Sequence, residues 1–311
     1  MSVRTPLRIA TRKSKLALWQ AEHVAALLRA AHPGLNIELV PLSTQGDRIQ
    51  DRSLAAIGGK GLFIKELEIA IQERHADIAV HSMKDVPAEV PDGFQIAAVL
   101  ERADPYDALI AARGVAKLED LPLRARVGTS SPRRQSQLYA ARPDLCIETL
   151  RGNVETRLRR LDAGELDAIL LACAGLTRLG LESRITARLD PNVCLPAVGQ
   201  GVIGIECRSE HAATRNLLAA IEHPATRYVL DAERAFAERL GGSCQSPIAA
   251  HAQLQAGGLQ LTGLVAEPDG SRVFRDSIRG SIEQAAALGR QLAERVLAAG
   301  AAELLERLRP A

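Results

Sequence analysis

Residues 127–134 read Val127-Gly-Thr-Ser-Ser-Pro-Arg-Arg134. An apolar strand end runs into three hydroxyls, then a proline, then two cations. Proline suits a first helical position, because its fixed φ is already helical and the N–H it lacks would have no partner there. The stretch therefore reads as a corner where a strand turns into a helix. A corner of similar plan lies upstream at Ile9-Ala-Thr-Arg-Lys-Ser14.

Working outward from the first corner, a strand is expected over Leu7–Thr11, and Ser14 caps a helix running to about Ala31, closed by His32-Pro-Gly34. A strand at Ile37–Leu42 follows. Leu62–Arg74 is helical, with Phe63, Leu67, Ala70 and Ile71 on one face, and a strand over Asp77–His81 ends in Ser82-Met-Lys-Asp-Val-Pro87. Around the second corner the order repeats: a strand at Arg126–Gly128, a helix from Pro132, a strand near Ile147–Leu150, a helix over Asn153–Asp162 and a strand at Ala168–Ala172. A further strand is expected at Val202–Glu206. Such alternation predicts an α/β fold of two lobes with mainly parallel strands in mixed sheets. Residues 43–60 lack periodicity, hold three glycines and read as a mobile loop.

From about residue 220 the pattern changes. A helix over 224–240 gives way to Gly241-Gly-Ser-Cys244, then to apolar runs at 248–254 and 259–266. A turn at Pro268-Asp-Gly270 leads into a strand at Arg272–Ile278, and a last helix covers 282–299. This is a small α+β domain. The expected division is residues 1–100 with 200–218, residues 101–199, and residues 219–311. At 311 residues, 47% hydrophobic, the chain exceeds what one core usually serves.

Net charge is +2, and the successive thirds carry +1, +2 and −1, so no third has the balance of a nucleic-acid or membrane-surface domain. No stretch approaches the roughly 20 apolar residues of a membrane span, and the first residues show no apolar signal core, so a cytoplasmic protein is expected. Arginine is unevenly placed. Between residues 124 and 160 stand nine arginines against three acids, a local +6. Arg133, Arg134, Arg151 and Arg157 fall at strand ends and helix starts, where open α/β sheets bind ligands and helix N-termini attract anions. Guanidinium pairs bidentately with carboxylate or phosphate. No phosphate-binding glycine motif accompanies them, which favours a ligand with several carboxylates. Arg159 and Arg160 read as a solvated helix face.

Three other features carry chemistry. Asp85 follows Lys84 at a strand end, where a carboxylate can stabilise a developing cation, shuttle protons or merely cap its own turn. The cysteines number five, at 146, 173, 194, 207 and 244, with no C-x-x-C pair, so neither a disulfide framework nor a zinc site is indicated. Four of them lie in or beside apolar stretches, whereas Cys244 follows a glycine pair that can leave the helical path. A thiolate there is suited to covalent attachment.

Seven blocks, Arg8-Ile-Ala-Thr-Arg-Lys-Ser-Lys-Leu-Ala-Leu-Trp-Gln20, Gly59-Lys-Gly-Leu-Phe-Ile-Lys-Glu-Leu67, Val80-His-Ser-Met-Lys-Asp-Val-Pro87, Gly128-Thr-Ser-Ser-Pro-Arg-Arg-Gln135, Leu150-Arg-Gly-Asn-Val154, Leu195-Pro-Ala-Val-Gly-Gln-Gly201 and Gly241-Gly-Ser-Cys244, closely resemble the porphobilinogen deaminase family, also called the hydroxymethylbilane synthases. The likeness runs in order from about residue 6 to past residue 250. It implies two lobes like those of periplasmic binding proteins, plus a third domain whose cysteine, Cys244, carries a dipyrromethane cofactor through a thioether. The implied activity is the head-to-tail joining of four porphobilinogens into hydroxymethylbilane, with loss of four ammonias, by a monomeric transferase of haem and tetrapyrrole biosynthesis. Asp85 corresponds to the family's catalytic aspartate. Lys84, Asp85, Thr129, Ser130, Ser131, Arg133, Arg134, Arg151 and Gly152 would hold the cofactor, and Arg12, Ser14, Lys60, Arg157, Arg178 and Gln200 the substrate or growing chain. The resemblance also implies a lid at the Gly-Gly-Lys60 loop, no metal, and a possible hand-off of product to uroporphyrinogen III synthase. The last 55 or so residues match no motif. A two-lobed, non-catalytic anion or solute receptor is the alternative reading of the same arginines.

Overall fold

The computed structural model describes residues 6–44, 64–112, 114–241 and 246–308. Its strands are β1 (Leu7–Arg12), β2 (Ile37–Leu42), β3 (Ile78–Ser82), β4 (Phe94–Val99), β5 (Asp107–Ala111), β6 (Arg126–Gly128), β7 (Cys146–Glu148), β8 (Ala168–Ala172), β9 (Ala187–Arg188), β10 (Ile203–Arg208), β11 (Ile248–Gln255), β12 (Gly258–Ala266) and β13 (Val273–Gly280). Its helices are α1 (Lys15–Ala31), α2 (Lys65–Gln72), α3 (Pro132–Ala141), α4 (Val154–Asp162), α5 (Cys173–Arg178), α6 (Ala212–Ala219), α7 (Pro224–Arg239), α8 (Ala285–Val296) and α9 (Ala302–Arg307).

Two five-stranded sheets share one plan. Their orders are β2-β1-β3-β10-β4 and β7-β6-β8-β5-β9. In each, a parallel trio centred on β1 or β6 is extended on one side by two antiparallel neighbours, β10 and β4 in the first, β5 and β9 in the second. The similarity extends to single hydrogen bonds. Asp77 accepts from the Arg8 backbone N–H at 2.8 Å and Asp167 from that of Arg126 at 2.7 Å, so each lobe clips the start of its middle strand to the residue before the next one.

Burial follows from the strand period of two, with apolar residues on both faces as expected for sheets covered on both sides. In the first lobe Leu7, Ile9, Ile78 and Val80 meet Ala21, Val24 and Leu28 of α1, while Ala10 and Ala79 meet Leu67, Ala70 and Ile71 of α2. In the second, Leu109, Val127 and Leu170 meet Leu138 of α3, and Ala108, Ile110 and Ile169 meet Leu158 and Leu161 of α4 with Leu176 of α5.

The third sheet, β11-β12-β13, is an antiparallel meander. Its core gathers Val229, Ala232 and Phe236 of α7 and Leu288, Leu292 and Val296 of α8. Phe236 lies against Gly263, where a Cβ would stand 2.5 Å from its ring. The expected last helix over 282–299 begins later, at Ala285, and α8 ends at Val296. Gly300 then adopts a φ of +116°, which breaks the helical path before α9.

Two compact units result. Of the described residues, one holds those up to Arg102 together with Val202–Arg227, and the other joins those of Ala103–Gly201 to those from Tyr228 onward. The second and third sheets share a unit because Leu195 packs with Ala249, Leu264 and Ala266, and because Gly270 approaches α3 so closely that a Cβ there would lie 2.4 Å from the Ala140 nitrogen. Among the described residues no helix is long and apolar enough to cross a membrane.

Candidate active site

In the first unit lie the β1–α1 corner and the turn after β3. Ser14 is the N-cap of α1, its hydroxyl accepting from Ala17 N at 3.3 Å, and Arg12 precedes it, half-buried at the end of β1. Thr11, fully buried, donates to Ala17 O at 3.0 Å and ties the strand end to the first helical turn. After β3 a single 3₁₀ turn, Met83–Asp85, carries Lys84 and Asp85, both half-buried. Met83 N donates to Val202 O at 3.0 Å and Val86 N to Met83 O at 3.1 Å, while Ser82 is held by Gln20 of α1 at 2.8 Å.

Beneath this turn lies a buried acid–base pair. His81 Nε2 and Glu206 Oε2 are 2.8 Å apart, and both side chains are almost fully enclosed. Burial pushes the Glu68 carboxyl up, and the charge of Glu206 adds to the rise. The carboxylate partner of His81 lies 125 positions away, beyond the reach of any local sequence signal.

In the second unit, the β6–α3 corner has the form its sequence implies. Ser131 is the N-cap, with Pro132 at the first helical position, and its hydroxyl accepts from Arg134 N at 3.4 Å. Thr129 is buried and its oxygen accepts from Ser131 N at 3.2 Å. Gly128 is needed for packing, since a Cβ would lie 2.6 Å from Leu166 and 2.8 Å from Leu150. At the next corner Gly152 takes a φ of +102°, which lets Asn153 cap α4 by accepting from Thr156 N at 2.8 Å. Arg151 is half-buried beside it, and Arg157 folds back to donate to Gly152 O at 2.8 Å. Arg159 is exposed, and Arg160 pairs with Glu165 at 2.7 Å.

Arg133 and Arg134 are arranged in a way the sequence reading did not anticipate. Expected to meet a ligand's carboxylates, both guanidiniums are buried and converge on the chain's own Asp107. Arg133 reaches it at 2.8 and 3.2 Å, Arg134 at 2.9 and 2.7 Å, the Cys194 thiol at 3.3 Å and the Gln200 amide at 3.0 Å. Burial pushes the Asp107 carboxyl up, but the two guanidinium charges and their hydrogen bonds outweigh it, and the net direction is strongly down. Two cations on one anion leave a surplus positive charge at the start of α3, where the helix's free N–H groups also attract anions.

The Leu195–Gly201 loop locks this cluster in place. Leu195 O accepts from Arg133 at 2.7 Å and from Gln137 at 3.1 Å. Gly199 N donates at 2.8 Å to Glu233 of α7, which also accepts from Ala252 N at 2.7 Å. Gln200, assigned to substrate by the resemblance, is buried, with its amide also donating to Pro105 O at 2.7 Å. Arg178 donates to Gly201 O at 2.7 Å, and burial lowers its pKa to about 10. Burial likewise pushes the Cys173 and Cys194 thiols up to about 12 and that of Cys207 up to about 11, which makes all three poor nucleophiles at neutral pH. Lys60 and Cys244 lie outside the described residues.

A family model described as "Porphobilinogen deaminase, dipyromethane cofactor binding domain" matches residues 7–216, and one described as "Porphobilinogen deaminase, C-terminal domain" matches 228–298. The chain belongs to the porphobilinogen deaminase family. Proteins named porphobilinogen deaminase from Xanthomonas euvesicatoria and Xanthomonas oryzae are each 56% identical over 304 residues, spanning 98% of this chain and 100% of theirs. Solved structures are more distantly similar. The Bordetella pertussis BvgS VFT2 domain aligns with a TM-score of 0.43 at 15% identity, over 69% of this chain and 85% of its own. A TRAP periplasmic solute binding protein from Desulfovibrio salexigens aligns at 0.44 and 14%, over 70% and 72%. Both matched parts of the porphobilinogen deaminase family are thus present, and the cofactor-binding part spans every described site residue named above from Arg12 to Gln200.

Proposed function

We propose that this chain joins four porphobilinogens head to tail into hydroxymethylbilane, releasing four ammonias, and that the product grows on a dipyrromethane primer attached through a thioether to Cys244. Membership of the family across both of its domains, with 56% identity to relatives bearing the deaminase name, is the observation that carries this reading over the receptor alternative. The donor set also fits the group. Each pyrrole unit bears two carboxylate arms, and the two strand–helix corners offer capped helix N-termini, hydroxyls and cations, which are carboxylate-binding chemistry. When bound, dipyrromethane supplies the nucleophilic pyrrole carbon to which the first substrate is joined.

On this reading Thr129, Ser130, Ser131, Arg151 and Gly152 hold the cofactor's acid arms, with the Arg133–Arg134 pair supplying positive charge from behind. Arg12, Ser14, Lys60, Arg157, Arg178 and Gln200 serve the substrate and the growing chain. Lys84 binds an acid arm beside Asp85. The Asp85 carboxylate stabilises positive charge developing at a pyrrole nitrogen as ammonia leaves, and an environment poor in water strengthens that attraction. The enzyme works as a cytoplasmic monomer and passes its product to uroporphyrinogen III synthase. Asp85→Ala is expected to keep the fold and the attached cofactor while turnover falls on the order of 100- to 1000-fold, as when one electrostatic stabiliser is removed. Steady-state porphobilinogen consumption measures this, and near-normal turnover would contradict the assignment.

A further inference from the structure

The turn carrying Lys84 and Asp85 rests on a glycine in the neighbouring strand. Met83 opens the turn and is 1% exposed. Its side chain lies directly over Gly204 of β10, where a Cβ would stand 2.1 Å from Met83 Sδ, 3.0 Å from its Cγ and 3.3 Å from Ile96 Cγ2. Backbone conformation does not call for glycine here. Gly204 is not among the positive-φ residues, and it pairs with His81 and Val99, just ahead of the register shift between Ile205 and Glu206. Glycine weakens a central strand and is retained where another group approaches closely. That group is the Met83 thioether.

We propose that Met83 and Gly204 form the positioning pair for the catalytic turn. The backbone bonds to Val202 and the Gln20–Ser82 contact fix where the chain leaves the sheet. The thioether filling the space over Gly204 sets how far the turn rises from it, and hence where the Asp85 carboxylate stands. This rests on the role given to Asp85 above. A misplacement near 1 Å can cost on the order of 100-fold in rate, so a contact remote from the reacting atoms can govern turnover.

The test uses the fact that the chain has two methionines, Met1 and Met83, so a methyl-13C methionine label makes the buried Met83 one of at most two signals in the intact, cofactor-bearing protein. In Gly204→Ala the Met83 methyl resonance is expected to move, and kcat to fall on the order of 10- to 100-fold with KM nearly unchanged. Adding Met83→Ala to that variant vacates the space the new methyl needs and is expected to restore most of the lost kcat. In the native background Met83→Ala lowers kcat by removing the support, whereas Met83→Leu, of similar volume, retains it. An unmoved Met83 resonance, or a moved one with kcat intact, would overturn the proposal. If Gly204→Ala does not fold, the comparison of Met83→Ala with Met83→Leu decides, since equal kcat in the two sinks it. Asp85→Ala run alongside keeps the two readings apart: full turnover there removes the role of Asp85, whereas loss there with unaffected positioning variants removes only the pair.

Discussion

Asp107 is the residue on which the second corner turns. It is fully buried and collects hydrogen bonds from two guanidiniums, a thiol and an amide, so removing its charge strands two buried cations. Asp107→Asn is expected to destabilise the protein by about 3–5 kcal/mol, the usual cost of breaking a buried pair by deleting one partner, as read from urea unfolding at neutral pH. The pH dependence has a definite sign. The folded-state pKa of Asp107 is depressed, so its contribution is complete above the unfolded value of about 4 and is lost as pH falls below it. The gap between wild type and variant should therefore narrow in acid. The sequence shows Arg133 and Arg134 as corner cations but not their partner, because Asp107 lies 26 and 27 positions upstream and only strand pairing brings it in. One signal is available: an acid opening the apolar run Asp107–Ala111 is a charge entering a core, and such charges are paired.

At the scale of elements, the helix starts are the most legible feature. Local chemistry marks Ser14 as a cap and helix starts at Pro132 and Asn153, and the N-caps stand at Ser14, Ser131 and Asn153, because a cap depends on residues within one turn. Ser131→Ala is expected to cost about 1 kcal/mol of stability through loss of the bond to Arg134 N. It should also lower the fraction of chains that carry the cofactor Ser131 is assigned to hold, which intact-protein mass spectrometry would show. Elements without such punctuation escape a sequence reading. β4, β5, α5 and α6 are short, and their existence is decided by neighbours distant in the chain: β5 pairs with β8 and β9, and β4 pairs with β10. The break between α8 and α9 is local, but a lone glycine inside an apolar periodic run does not announce that it will take a positive φ.

Across the whole molecule, the two sheet orders are one pattern used twice: β5 directly precedes the parallel trio it extends, whereas β10 returns from beyond the second sheet to extend the first. The repeat is readable in the two corners, whereas the strand order within each sheet is a property of long-range pairing. The third sheet, resting on Phe236 and the close Gly263, supports α7, the helix that leads toward Cys244. The central claim is that this cysteine carries the primer. Burial pushes the Cys173, Cys194 and Cys207 thiols up, so they do not compete for that role. Intact-protein mass spectrometry of wild type and Cys244→Ser tests the claim most directly. The account predicts a wild-type mass above that of the sequence by one dipyrromethane unit and a Cys244→Ser mass equal to its own sequence; a wild-type chain at bare sequence mass, or an adduct that survives the substitution, would contradict it.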